Sequence, residues 1–181
     1  MYSKILSKLI SEALVPFLGF IFIKIIVTIL TAYDLGLKVD LGTVFNLTVS
    51  LNQYKQINSN ILFGFIIFSF MGLTYSLIKS IYFHDSHISP KISLSLLNFR
   101  VGFLVQDSFH LFSQNLIWLV FNYTTLFLTL FLYFLGLTWL YLVTISAFFT
   151  LIGTYFFVLD VEYELAKNLT SGEEDEEIFV S

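Results

Sequence analysis

His84, Asp85 and His87 form the one compact set of side chains with metal-ligand chemistry in the chain. Imidazole and carboxylate suit zinc, which in catalytic sites often takes three such protein ligands. His110 is a distant fourth member. The spacing alone does not distinguish a metal site from hydrogen-bonded histidines at a boundary, so no cofactor is expected.

A second group consists of polar residues inside apolar runs. Lys24 interrupts ALVPFLGFIFIKIIVTILTAY, from Ala13 to Tyr33. It lies about 16 Å from the start of that run at 1.5 Å per helical residue. A charged group at such depth costs about 2.5–3.5 kcal/mol on insertion scales. Thr28 and Thr31 follow it at i+4 and i+7, on one helix face. Farther on, Asn115, Asn122, Thr125 and Thr129 form a comparable stripe, and so do Ser146, Thr150 and Gly153. The depths coincide, which predicts a mid-membrane polar cluster of Lys24, Asn122, Ser146 and Thr150, with Lys24 donating to Asn122. The competing reading is structural: Lys24 snorkels and the Asn and Thr stripes join helices. No carboxylate accompanies Lys24 in its span, which weighs against a proton relay.

A third set is Ser69, Gly72, Ser76 and Ser80. Small residues three and four apart let another membrane helix approach closely, and these four are expected to pack helices.

Other chemistry has no foothold. With no Cys, disulfides, thiolate metal sites and Cys nucleophiles are excluded. There is no nucleophile elbow, Gly-rich phosphate loop or HExxH, and an enzyme is not expected. Basic residues are few and dispersed, so nucleic acid is not an expected partner.

The elements that position these residues follow from composition. Of 181 residues, 57% are hydrophobic and 12% charged. Soluble domains carry about 25% charged residues; half that proportion cannot coat a globule in water. From Phe109 to Leu159 there is no Asp, Glu, Lys or Arg, a run about twice the ~20 residues needed to cross a bilayer. Gly136 divides it, with Tyr133, Trp139 and Tyr141 alongside, as a helical hairpin turning at the boundary requires.

The expected fold is therefore an all-α membrane protein, a bundle of four transmembrane helices spanning about 13–33, 60–83, 109–135 and 137–160. The first run is too long for a signal-peptide core and lacks a small-residue cleavage site before Asp34. Pro16 suits the first turn of its helix. Between spans one and two, period-two alternation of Leu37, Val39, Leu41 and of Phe45, Leu47, Val49, Leu51 fits a small β-hairpin broken at Gly42, or a loop on the headgroups. Between spans two and three, Ser89 and Pro90 can start an amphipathic interfacial helix with Ile92, Leu96, Phe99 and Phe103 on one face. Gly172 is expected to end the last helix, leaving residues 170–181 as an acidic, disordered tail.

An even number of spans puts both termini on one side. Lys4, Lys8, Lys79, Lys91, Arg100 and Lys167 lie there, against Lys38 and Lys55 opposite. The bias places both termini in the cytoplasm and the protein in the cytoplasmic (inner) membrane. The partners are the lipid bilayer and other membrane proteins or a second copy. The leading functional expectation is a non-catalytic subunit or assembly factor of a membrane complex, which needs no chemistry the chain fails to show. The alternative is a transporter or channel component built on Lys24 and Asn122. The third is a membrane enzyme with the His84–Asp85–His87 metal site.

Overall fold

The computed structural model describes residues 2–37, 49–83 and 108–180, with side chains at 10–37, 49–81 and 110–163. Among the described residues the chain is all-helical: α1 (Tyr2–Asp34), α2 (Leu51–Phe83), α3 (Ser108–Phe134) and α4 (Leu140–Val180). All four contain a stretch long and apolar enough to cross a membrane: Ile10–Asp34, Leu51–Ile81, His110–Phe134 and Leu140–Tyr163. The protein is thus a multi-pass helical membrane protein by length and composition.

The helix ends explain several departures from expectation. Leu51 opens α2; it is not a strand residue, and Val49 and Ser50 are not in a strand either. The cause is a capping box over Ser50-Leu51-Asn52-Gln53. The Gln53 backbone N–H donates to Ser50 Oγ (3.4 Å), while Gln53 Oε1 accepts from the Ser50 backbone N–H (3.1 Å). Two orphan donors of the first turn are satisfied reciprocally, so the helix begins some nine residues before its apolar run. The remainder of the hairpin segment and the whole of the amphipathic segment at Ser89–Phe103 lie outside the described residues.

α1 and α3 end the same way. Each closes on Tyr-x-Leu-Gly-Leu, with glycine at positive φ: Gly36 at 66° and Gly136 at 72°. The N–H of Leu37 donates to Ala32 O and that of Gly36 to Tyr33 O; Leu137 and Gly136 repeat this with Leu132 and Tyr133. These are Schellman caps, in which glycine takes the left-handed conformation without a Cβ penalty.

Two other ends differ from the sequence reading. α1 starts at Tyr2, so Pro16 lies inside the helix and not in its first turn. Proline lacks the N–H that would bond the carbonyl four residues earlier, that of Glu12. α4 runs through Gly172 to Val180 where a disordered tail was expected. A single glycine costs a helix about 1 kcal/mol, and the glutamates around it are good helix formers.

α2 is central: it packs on α1, α3 and α4, while α3 also meets α4 and, more lightly, α1. One row of its buried positions is Ser59, Leu62, Ile66, Ser69, Leu73, Ser76 and Ser80, with Ile57, Ile61, Leu77 and Lys79 buried beside it. Positions in the row alternate at three and four residues, the spacing of a left-handed bundle seam. The outer surface is apolar and aromatic, with Phe22, Met71, Phe127 and Leu151 all exposed. Polar residues lie inside and hydrocarbon-like ones outside, the arrangement required when lipid is the solvent.

Candidate functional site

The polar residues of the interior form rungs along α2. The seam places Ser59, Ser69, Ser76 and Ser80 at successive depths, and each meets a partner from another helix or, for Ser59, from the α3–α4 turn.

At the end where α2 begins, Ser59 Oγ and Thr138 Oγ1 are 3.1 Å apart, and Asn60 Nδ2 donates to Thr31 Oγ1 at 3.2 Å. In the middle, Ser69 Oγ donates to Asn122 Oδ1 (3.3 Å), and Asn122 Nδ2 donates to the carbonyls of Ser69 and Trp118, both at 3.0 Å. One heptad further along α2, Ser76 Oγ donates to Asn115 Oδ1. Asn115 Nδ2 donates in turn to Asp160 Oδ2 (3.2 Å), which also accepts from Ser80 Oγ (2.8 Å). This chain of four side chains ties α2, α3 and α4, and Asn115 within it is fully buried.

Beside it, α1 is tied to α3. His110 Nδ1 lies 2.8 Å from Glu12 Oε1, and Ser113 Oγ donates to Glu12 Oε2 at 2.6 Å. Glu12 Oε1 and His110 Nδ1 are both inaccessible to solvent. Gln114 Nε2 sits 3.1 Å from His110 Nε2. Lys79, on α2 at the same end, is 9% exposed.

The four residues expected to pack helices do line the α2 seam or its edge. Ser69, Ser76 and Ser80 are buried, and a Cβ on Gly72 would collide with the Trp118 indole. The expected mid-membrane cluster is rearranged. Asn122, Ser146 and Thr150 are buried, but Thr150 Oγ1 donates back to Ser146 O at 2.8 Å on its own helix. Lys24 is exposed, whereas Asn122 is 3% exposed and directs its amide to Ser69 and Trp118. The expected Lys24–Asn122 pair is therefore replaced by Ser69–Asn122. The physical reason is the place of α1 on the flank of the bundle. It buries Pro16, Thr28, Thr31 and Ala32, whereas Lys24, one turn before Thr28 on the same face, is exposed. His84, Asp85 and His87 lie outside the described residues, among which no group of three His, Cys, Asp or Glu converges.

Sequence reasoning missed Glu12, Ser113 and Asp160. The signal for Asp160 was present: Gly153, Phe157 and Asp160 continue the spacing of the Ser146–Thr150 face. Glu12 precedes Pro16 by four residues, which marks it only once α1 is known to start at Tyr2.

Chemically, the arrangement supplies hydrogen bonds between helices and, at one end, a carboxylate–imidazole pair able to hold a proton between α1 and α3. No family model, no curated protein and no solved structure matches the chain.

Proposed function

We propose that this chain is a non-catalytic integral membrane protein serving as a small subunit or assembly factor of a membrane complex. It would sit in the cytoplasmic membrane with both termini in the cytoplasm. The supporting observation is where the described spans direct their polar groups. Asn122, Asn115, Asp160, Glu12 and their serine partners bond one helix to another within the chain. They hold four spans together, and the aromatic outer face is left for lipid and neighbouring spans. The lysine and arginine bias supports the orientation. Affinity purification in a mild detergent tests the reading. A stoichiometric co-purifying membrane protein, or a defined homo-oligomer, is the expected result; a lone monomer counts against it.

A second reading is favoured by one observation. Glu12, His110, Asp160 and Lys79 all come inward at one end of the bundle. Ionisable groups within membrane spans are often part of ion or proton paths. In this reading the chain is a transporter or channel component. Proton or cation flux into liposomes that disappears in Asp160→Asn would favour it over the subunit reading. Equal flux in wild-type and empty liposomes would remove it. Lys24→Leu, at an exposed position, is expected to leave any flux unchanged.

A further inference from the structure

At the start of α2 the bundle opens into a cavity of about 480 Å³ lined by Asn52, Lys55, Gln56, Ser59 and Asn60 from α2, by Trp139 just before α4 and by Tyr141 in its first turn. We infer that this cavity binds a phosphate group carrying net negative charge, whether on an anionic phospholipid head or on a soluble phosphate ester.

Three observations carry the inference. The first is depth. The membrane-crossing stretch Leu51–Ile81 has 31 residues, or about 46 Å at 1.5 Å per residue. The hydrocarbon core is about 30 Å thick. The excess falls at the first turns of α2, which carry Asn52, Gln53, Lys55, Gln56, Asn58, Ser59 and Asn60, polar residues that suit the headgroup layer and not hydrocarbon. Trp139 and Tyr141, across the cavity, are residues of the membrane–water boundary.

The second is charge. Among the described residues Lys55 is the one charged side chain of the lining, and no carboxylate lines it there. Its Nζ sits 3.9 Å from the centroid of the Trp139 ring. A cation–π contact of this kind holds an ammonium in place without using up its N–H donors. The side chain is thereby pre-positioned, and less conformational entropy is lost when an anion arrives.

The third is the donor inventory. Asn52 and Gln56 offer amide N–H groups and Tyr141 a hydroxyl, while Ser59 in the lining is paired with Thr138. A tetrahedral oxyanion accepts several such donors at once. A zwitterionic head would bring a second cation beside Lys55, and no carboxylate among the described lining residues receives it. The lining thus discriminates by net charge as well as by shape. This inference is independent of whether the protein is a subunit or a transporter.

The test is native mass spectrometry of the detergent-purified full chain. It is titrated with phosphatidylglycerol, phosphatidylcholine and, separately, glycerol 1-phosphate, each against wild type, Lys55→Gln, Lys55→Arg, Trp139→Leu and Lys24→Gln. One interfacial Lys contributes about fivefold in affinity for an anionic head. Phosphatidylglycerol should therefore bind at least that much more tightly than phosphatidylcholine, and Lys55→Gln should abolish the preference. Lys55→Arg should retain it, Trp139→Leu should weaken it, and Lys24→Gln, which alters a cation elsewhere, should leave it intact. Glycerol 1-phosphate that binds alone and competes with the lipid identifies a soluble source; lipid binding without that competition identifies the headgroup. Equal binding of both lipids, or a preference that survives Lys55→Gln or is lost equally in Lys24→Gln, overturns the inference.

Discussion

At the scale of single residues, Asn122 is the most informative. Its amide spends both donor and acceptor on α2 and on its own helix, at 3% exposure. Side-chain hydrogen bonds between membrane helices average about 0.6 kcal/mol and reach about 1.7, because the unfolded chain in the bilayer also finds partners. A double-mutant cycle on Ser69→Ala and Asn122→Ala should give a coupling energy within that range, measured as reversible unfolding in detergent or bicelles. The Asn122→Ala single mutant should lose more than Ser69→Ala. It removes the amide that also serves the Ser69 and Trp118 carbonyls, whereas Ser69→Ala leaves those bonds in place. Additive effects would mean that the pair does not hold α2 against α3. Lys24 teaches the opposite lesson. A lone charge in an apolar run attracts a functional reading. Yet Lys24 is exposed although Thr28 and Thr31 on the same face are buried, so neither depth nor helix face alone fixes what a long side chain meets.

At the scale of helices, the spans were legible and their register was not. An apolar run beyond ~20 residues announces a membrane helix whatever its neighbours do. The inward face is harder to find, because leucine and phenylalanine occupy lipid-facing and core-facing positions alike. What marks it is the spacing of small and polar residues, and the Ser69–Gly72–Ser76–Ser80 stripe found half of the seam; Ser59, Leu62, Ile66 and Leu73 complete it. The pairings across it depend on how far each helix slides along the next, which the turns and caps set. One cap was readable and was overshadowed. Ser50 and Gln53 spell a capping box, but the alternating Phe45–Leu51 run points to a strand, and Leu51 belongs to both patterns. Glycine substitutions separate the two kinds of constraint. Gly72→Ala places a methyl group against the Trp118 indole. Overpacking of this kind costs about 1–3 kcal/mol. Gly136→Ala meets nothing within 4 Å, yet its φ of 72° is strained for any side chain with a Cβ. Its expected loss is about 1 kcal/mol, the price of the left-handed conformation. Gly136→Asn should be tolerated better than Gly136→Ala, whereas no polar residue at 72 should rescue the packing. Thermal unfolding of the three variants decides; a Gly72→Ala protein as stable as wild type would mean that the indole moves aside freely.

At the scale of the whole molecule, the four helices form two hairpins, α1–α2 and α3–α4, whose turns lie at the same end. Ser59 meets Thr138 there, while Ser80 meets Asp160 at the other end, so α2 and α4 run parallel. Glu12 meets Ser113 and Phe20 stacks on Phe121 at 5.2 Å, so α1 and α3 run parallel as well. A bundle of this kind has one end with the Gly36 and Gly136 turns and one with the start of α1 and the far part of α4. The proposed orientation puts the second end in the cytoplasm, in line with the charge bias, since only Lys38 and Lys55 fall at the first. The absence of Cys makes the assignment directly measurable, because a single introduced thiol is the only one in the protein. Asp34→Cys is exposed beside the Gly36 turn. In intact cells it should react with a membrane-impermeant maleimide, whereas Ser181→Cys, beyond α4, should react only after permeabilisation. The reverse pattern would invert the orientation and leave the bundle intact. Labelling of both from the same side would break the four-span topology itself, since antiparallel hairpins crossing the bilayer four times must put residues 34 and 181 on opposite faces.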